Sequence, residues 1–278
     1  MKHTFAISLI LAAVAPLASA ALSVGSLAII GYQDNAVDLG PGLSGDLFSI
    51  ATLADIPAGE VIYFTDNGWT GSQFRGASAT DGDGNENLIM LTANQAIPAG
   101  TAFTNLSTSA LFSWTLTGAI PGTTSGGFAN PSQSTSGEQI YAFQAPAGNP
   151  LLNASTFLFV ADSTNGFEPA TSTSTGDIPG GLSPGNGAVS GTALGRSGTF
   201  GLNMIDPDVA ALQSGGGSAS QWFAVISDPT NWGTLANGAL PPVAALNISL
   251  APVPEPGVIG LLGLAGATVM RRARRRGE

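Results

Sequence analysis

Short runs of β-branched and aromatic residues recur along this chain about every ten residues, each bounded by Gly, Pro, Asn, Ser or Thr. That rhythm constrains the fold more than any other feature. The runs are too short for amphipathic helices and match strands joined by turns. Ser26–Tyr32, Asp46–Leu53, Glu60–Thr65, Asn87–Thr92, Thr101–Leu106 and Gln139–Gln144 are the first candidates. Ser155–Ala161, Ala188–Leu194, Gln221–Ile226 and Ala245–Leu250 follow. In Val61-Ile62-Tyr63-Phe64 the strand formers run together without alternation, as in a strand buried on both faces. The expected fold is therefore all-β, a sandwich or barrel.

One internal repeat supports this. Ile56-Pro57-Ala58-Gly59 precedes Val61–Phe64, and Ile97-Pro98-Ala99-Gly100 precedes Thr101–Phe103. Each reads as a turn into the next strand, with Gly supplying the permissive position. Ala119-Ile120-Pro121-Gly122 resembles a third, degenerate copy. Two places read as helix starts: Asp206-Pro207 leading into Asp208–Gln213, and the shorter Asp228-Pro229-Thr230-Asn231-Trp232. Segments 122–137, 163–187 and 214–219 read as Gly, Ser, Thr and Pro-rich loops.

Charge is scarce and unevenly placed. Only 9% of the residues are charged, and the hydrophobic content of 44% favours a packed core over disorder. Lys2 lies at the start of the chain, and Arg271, Arg272, Arg274, Arg275 and Arg276 lie at its end. Between Ala21 and Val253 only Arg75 and Arg196 stand against sixteen acidic residues, a formal charge of −14. A surface this acidic repels phosphate backbones, which argues against a nucleic-acid partner.

The two ends have their own grammar. Met1-Lys2-His3, an apolar run from Phe5 to Leu17, and Ala18-Ser19-Ala20 are the three parts of a secretory signal peptide spanning 1–20. Ala18 and Ala20 are the residues that signal peptidase would recognise, with cleavage before Ala21. At the other end Pro254-Glu255-Pro256 precedes an apolar stretch, Val258–Met270, and then the arginine cluster. As a helix that stretch rises only about 20 Å, against a hydrocarbon core of about 30 Å. Gly260, Gly263 and Gly266 would line one side of it and permit close approach to another helix. The arginines Arg271–Arg276 act as a cytoplasmic stop, leaving the body outside.

This tripartite end, residues 252–278, closely resembles the PEP-CTERM sorting signal of Gram-negative bacteria. The resemblance implies an exosortase partner, a single membrane helix before cleavage, and export through the inner membrane. Delivery to the cell surface, outer envelope or an exopolysaccharide or biofilm matrix would follow. The body, 21–251, resembles a second group. Asp55–Trp69, Ser136–Tyr141 and Ser227–Trp232 are similar to bacterial surface proteins with a lamin-tail-like domain. That likeness implies an immunoglobulin-like β-sandwich and brings no catalytic residues.

Few routes to catalysis remain open. The chain has no Cys, and its single His and single Lys are His3 and Lys2, within the leader. Triads, thiol nucleophiles, Schiff bases and histidine metal sites are thereby unavailable to the body. No cofactor is implied. The one candidate ligand is Ca²⁺ at Asp81, Asp83, Asn85 and Glu86, oxygen side chains on a Gly-rich loop. The pattern departs from an EF-hand, with Glu86 at the turn-Gly position and Thr92 at position twelve, so a solvated acidic loop fits as well. Asp66-Asn67-Gly68 reads as a tight turn. The resulting expectation is a non-catalytic surface or matrix protein. The alternative is a carbohydrate-active or carbohydrate-binding protein acting on the matrix polysaccharide.

Overall fold

The computed structural model describes residues 21–38, 44–77, 87–118, 139–162, 166–169, 176–191, 200–235 and 243–249. Residues 1–20 and the segment 252–278 lie outside the described residues, as do Asp81, Asp83, Asn85, Glu86 and the expected third turn copy at 119–122. Among the described residues no helix is long and apolar enough to cross a membrane.

Most of the strand runs expected from the sequence take part in two sheets. β1 (Leu27–Asp38) pairs antiparallel with β2 (Ser44–Thr52), and β5 (Ala102–Thr104) joins on the far side of β2. β11 (Phe200–Leu202) and β12 (Trp232–Thr234) extend the other side, giving the order β12-β11-β1-β2-β5. The second sheet has seven strands. Its centre is β3 (Val61–Thr65), β7 (Gln139–Gln144) and β8 (Thr156–Asp162). β4 (Asn87–Ala93) and β6 (Phe112–Gly118) lie to one side, and β10 (Gly187–Ser190) and β9 (Ser183–Pro184) to the other. β10 runs parallel to both β8 and β9, whereas the other pairings are antiparallel.

The inner faces of the two sheets share one core. Ile29, Phe48 and Ile50 from the first sheet meet Ile62, Phe64, Ile89, Leu91 and Phe159 from the second. Phe48 and Phe64 bring their ring centroids to 5.1 Å across the interface. Each such side chain contributes about 1.5–3 kcal/mol by leaving water. The seven-stranded sheet is also covered on its outer face. Tyr141, Phe143, Phe157 and Val160 pack there beneath Trp69, Phe74, Leu151 and Leu182, which come from connecting segments. This double burial explains why Val61–Phe64 shows no polar alternation: Ile62 and Phe64 face the shared core, and Tyr63 packs under the outer layer. A register shift between Ala142 and Phe143 adds one residue to β8, and both Leu158 and Phe159 then enter the shared core.

The repeat has a structural role. Ile56 and Ile97 exchange both main-chain hydrogen bonds at 2.9 Å, so the two turn copies face each other as an antiparallel bridge. Gly59 at φ +87° and Gly100 at φ +85° occupy the position that favours glycine in each turn.

Several expectations are corrected. Gln221–Ile226 is the middle of helix α2 (Ala219–Ser227), not a strand. Ser218 caps it, accepting from the Gln221 N–H while the Gln221 side chain accepts from the Ser218 N–H. Trp222 and Ile226, four residues apart, bury on one face. Ala245–Leu250 forms no ladder: among the described residues it makes one bridge, Ile248 with Gly217, and Leu250 lies outside them. Part of 214–219 is helical, because α1 (Pro207–Gly215) runs further than expected. β6, β9, β11 and β12 are strands with no counterpart among the expected runs, and β9 lies within the expected loop 163–187.

Candidate functional site

One cluster of buried polar residues lies at one end of the seven-stranded sheet. β7 and β8 lie beside each other with Tyr141 opposite Val160 and Gln139 opposite Asp162, and Ser190 of β10 stands next to Asp162. Directly opposed residues share a face, so Gln139, Asp162 and Ser190 continue the outer face where its apolar packing ends. Gln139 and Asp162 are buried and Ser190 is half-buried.

Their hydrogen bonds tie strands to loops. One oxygen of Asp162, Oδ1, accepts from the Gly166 N–H at 2.8 Å and from the Ser190 hydroxyl at 3.2 Å. Gln139 Nε2 donates to the carbonyl of Asp66 at 2.6 Å, and the Tyr141 hydroxyl donates to the carbonyl of Asp177 at 3.0 Å. The Asp177 N–H in turn bonds the Trp69 carbonyl at 2.9 Å. Burial pushes the Tyr141 phenol far up; the carboxylates of Asp162 and Asp177 add to this, and a backbone hydrogen bond from Trp69 opposes it. The phenol is thus a neutral donor at any physiological pH. Gly176 lies so close that a Cβ there would run into Tyr141 Oη and the Trp69 nitrogen.

Asp66-Asn67-Gly68 is not the turn expected of it. Asp66 and Asn67 are buried, and the chain reverses at Thr70–Gln73, where Thr70 N–H bonds the Gln73 carbonyl and Trp69 pairs with Phe74. Asn67 Nδ2 donates to Thr65 Oγ1 at 2.7 Å, while its Oδ1 is buried and accepts no hydrogen bond.

This arrangement clamps loops to the sheet through the buried groups of Gln139, Tyr141 and Asp162. Among the described residues no group of three or more His, Cys, Asp or Glu is placed to hold a metal ion. All four tryptophans pack into the cores; Trp222 Nε1 donates to the Asn247 carbonyl at 3.0 Å and Trp232 Nε1 to that of Ile226 at 2.8 Å. Two shallow grooves open elsewhere. One, of about 340 Å³, lies beside Leu202–Ile205 and Gly233–Leu235. The other, of about 280 Å³, is bordered by Leu106–Ser109 and Phe112–Trp114. The polar row was absent from the sequence reading, although one signal existed: Asp162 ends an otherwise apolar strand.

Comparison with protein-family models, curated proteins and solved structures gives no match for this chain.

Proposed function

We propose that this chain is an exported surface or extracellular-matrix protein, processed at its C-terminal end by an exosortase and non-catalytic in its body. The observation that carries the reading is the order of parts in 252–278: Pro254-Glu255-Pro256, a short apolar stretch, then Arg271–Arg276. The leader with Ala18 and Ala20 supports it from the other end. In this reading the body is an immunoglobulin- or lamin-tail-like sandwich that acts by adhesion or packing within an exopolysaccharide matrix. Two sheets sharing one core support that assignment. So do the hydrogen bonds by which Gln139, Tyr141 and Asp162 hold loops.

Intact mass and location of the protein in its own cells, with and without the sorting protease, test the reading. The expected mature form begins at Ala21, ends near Pro254 and appears outside the cell only when the protease is present. A species that keeps Arg271–Arg276 and stays in the inner membrane overturns it.

A further inference from the structure

From the edge that β6 forms among the described residues of the seven-stranded sheet we infer that two copies of this chain associate by antiparallel pairing of β6 with β6. The four sheet edges are unequal. β5 and β12 have three residues each and β9 is Ser183–Pro184, so these edges offer little to a partner strand. β6 ends its sheet with seven residues, Phe112–Gly118, and contains no proline, lysine or other charged residue. Among the described residues the usual protections of an exposed edge are missing there.

The ladder fixes which groups are open. The Asn94 N–H bonds the Leu111 carbonyl, and the Ala93 N–H bonds the Glu60 carbonyl, so alternate residues of β4 face β6 and β3. Leu88, Met90 and Thr92 face β6, and their partners are Thr117, Thr115 and Ser113. Phe112, Trp114, Leu116 and Gly118 therefore turn their N–H and C=O groups away from β4. Among the described residues nothing takes these groups up.

Charge says what the edge can meet. Repulsion opposes self-association of a body with a formal charge of −14, yet residues 87–137 contain no Asp, Glu, Lys, Arg or His. This long neutral stretch contains β4, β5 and β6, so the edge is where a second copy meets the least repulsion. The strand is also self-complementary in register. With a two-fold axis at its middle residue, Thr115, all seven residues overlap. Trp114 then pairs with Leu116 of the second copy, Phe112 with Gly118, and Thr115 with Thr115. Each outward N–H and C=O finds a partner, and the exposed Thr115 side chains meet at a non-hydrogen-bonded pair, where Cα atoms approach to about 4.5 Å. This inference stands whether or not the chain is exported.

Because the chain has no cysteine, Thr115→Cys gives it a single thiol, at the proposed axis. In the full-length protein, purified in mild detergent and gently oxidised, T115C is expected to form a disulfide-linked dimer. Ala211→Cys, at an exposed site on α1, is expected to remain largely unlinked. Thr115→Lys places like charges opposite each other and should weaken dimerisation by about fivefold in light scattering. A wild-type chain that stays monomeric across the accessible concentration range overturns the inference. So does cross-linking at position 115 no faster than at 211.

Discussion

The Tyr141 hydroxyl reaches 3.0 Å from the main-chain carbonyl of Asp177, joining the central strand of the larger sheet to the segment that covers its outer face. Tyr141 is buried and its ring also lies 5.1 Å from that of Phe74. Tyr141→Phe keeps the ring packing and leaves the carbonyl without its donor. The expected loss is about 1 kcal/mol. It should appear as a lower urea midpoint at unchanged slope, and an unaltered midpoint would show that the bond contributes nothing.

Alkaline pH acts on the same residue. The folded state holds the Tyr141 phenol above its ordinary value of 10.0, chiefly through burial, and holds that of Tyr63 up by the same cause. A group whose folded pKa is raised contributes stability that is complete below the unfolded pKa and is lost as pH rises toward the folded one. Stability should therefore be insensitive to Tyr141 below about pH 10 and fall above it. Y141F should flatten that alkaline decline. If the variant and the wild type decline in parallel, the phenol is not its source.

Gly176 is required for lack of a side chain. A methyl group would meet Tyr141 Oη and sit 2.9 Å from the Trp69 nitrogen and 3.2 Å from Gly68 Cα. Two of these three neighbours are backbone, which cannot turn aside. Gly176→Ala should cost about 1–3 kcal/mol, measured by thermal or chemical unfolding. Gly180→Ala, where a Cβ meets nothing within 4 Å, is the control and should be close to neutral.

Helix α2 depends on its cap. Ser218→Ala removes the acceptor for the Gln221 N–H and should cost about 1 kcal/mol. The partial rescue expected from Ser218→Asp, which restores an acceptor at the same place, separates capping from other effects of the site. A variant pair with equal stability would assign the helix to packing of Trp222 and Ile226 alone.

Ser218 also marks what could be read from the sequence and what could not. The runs that became β1, β2, β3, β4, β7 and β8 were visible because strand formers cluster there between turn residues. Gln221–Ile226 has the same composition, and β-propensity alone made it a strand. Its polar residue three positions after Ser218, a local signal for a helix start, pointed the other way. β6 was overlooked even though Phe112, Trp114 and Leu116 alternate with hydroxyl residues, and β11 and β12 are too short to leave a pattern. Of the clustering of Gln139, Asp162 and Ser190 only Asp162, at the end of its apolar strand, left a sign in the sequence. The clustering arises from the antiparallel pairing of β7 with β8 and the parallel pairing of β10 with β8, contacts set by tertiary packing.

β7 occupies the middle of the larger sheet, with a strand on each side, the shared core beneath it and the aromatic loop layer above. The amides of Tyr141–Phe143, paired with β3 on one side and β8 on the other, have no local route for solvent deuterium, since opening any one covering layer still leaves both flanking strands in place. Their exchange should follow global unfolding alone, making this strand the internal gauge against which every more easily opened part of the protein can be ranked.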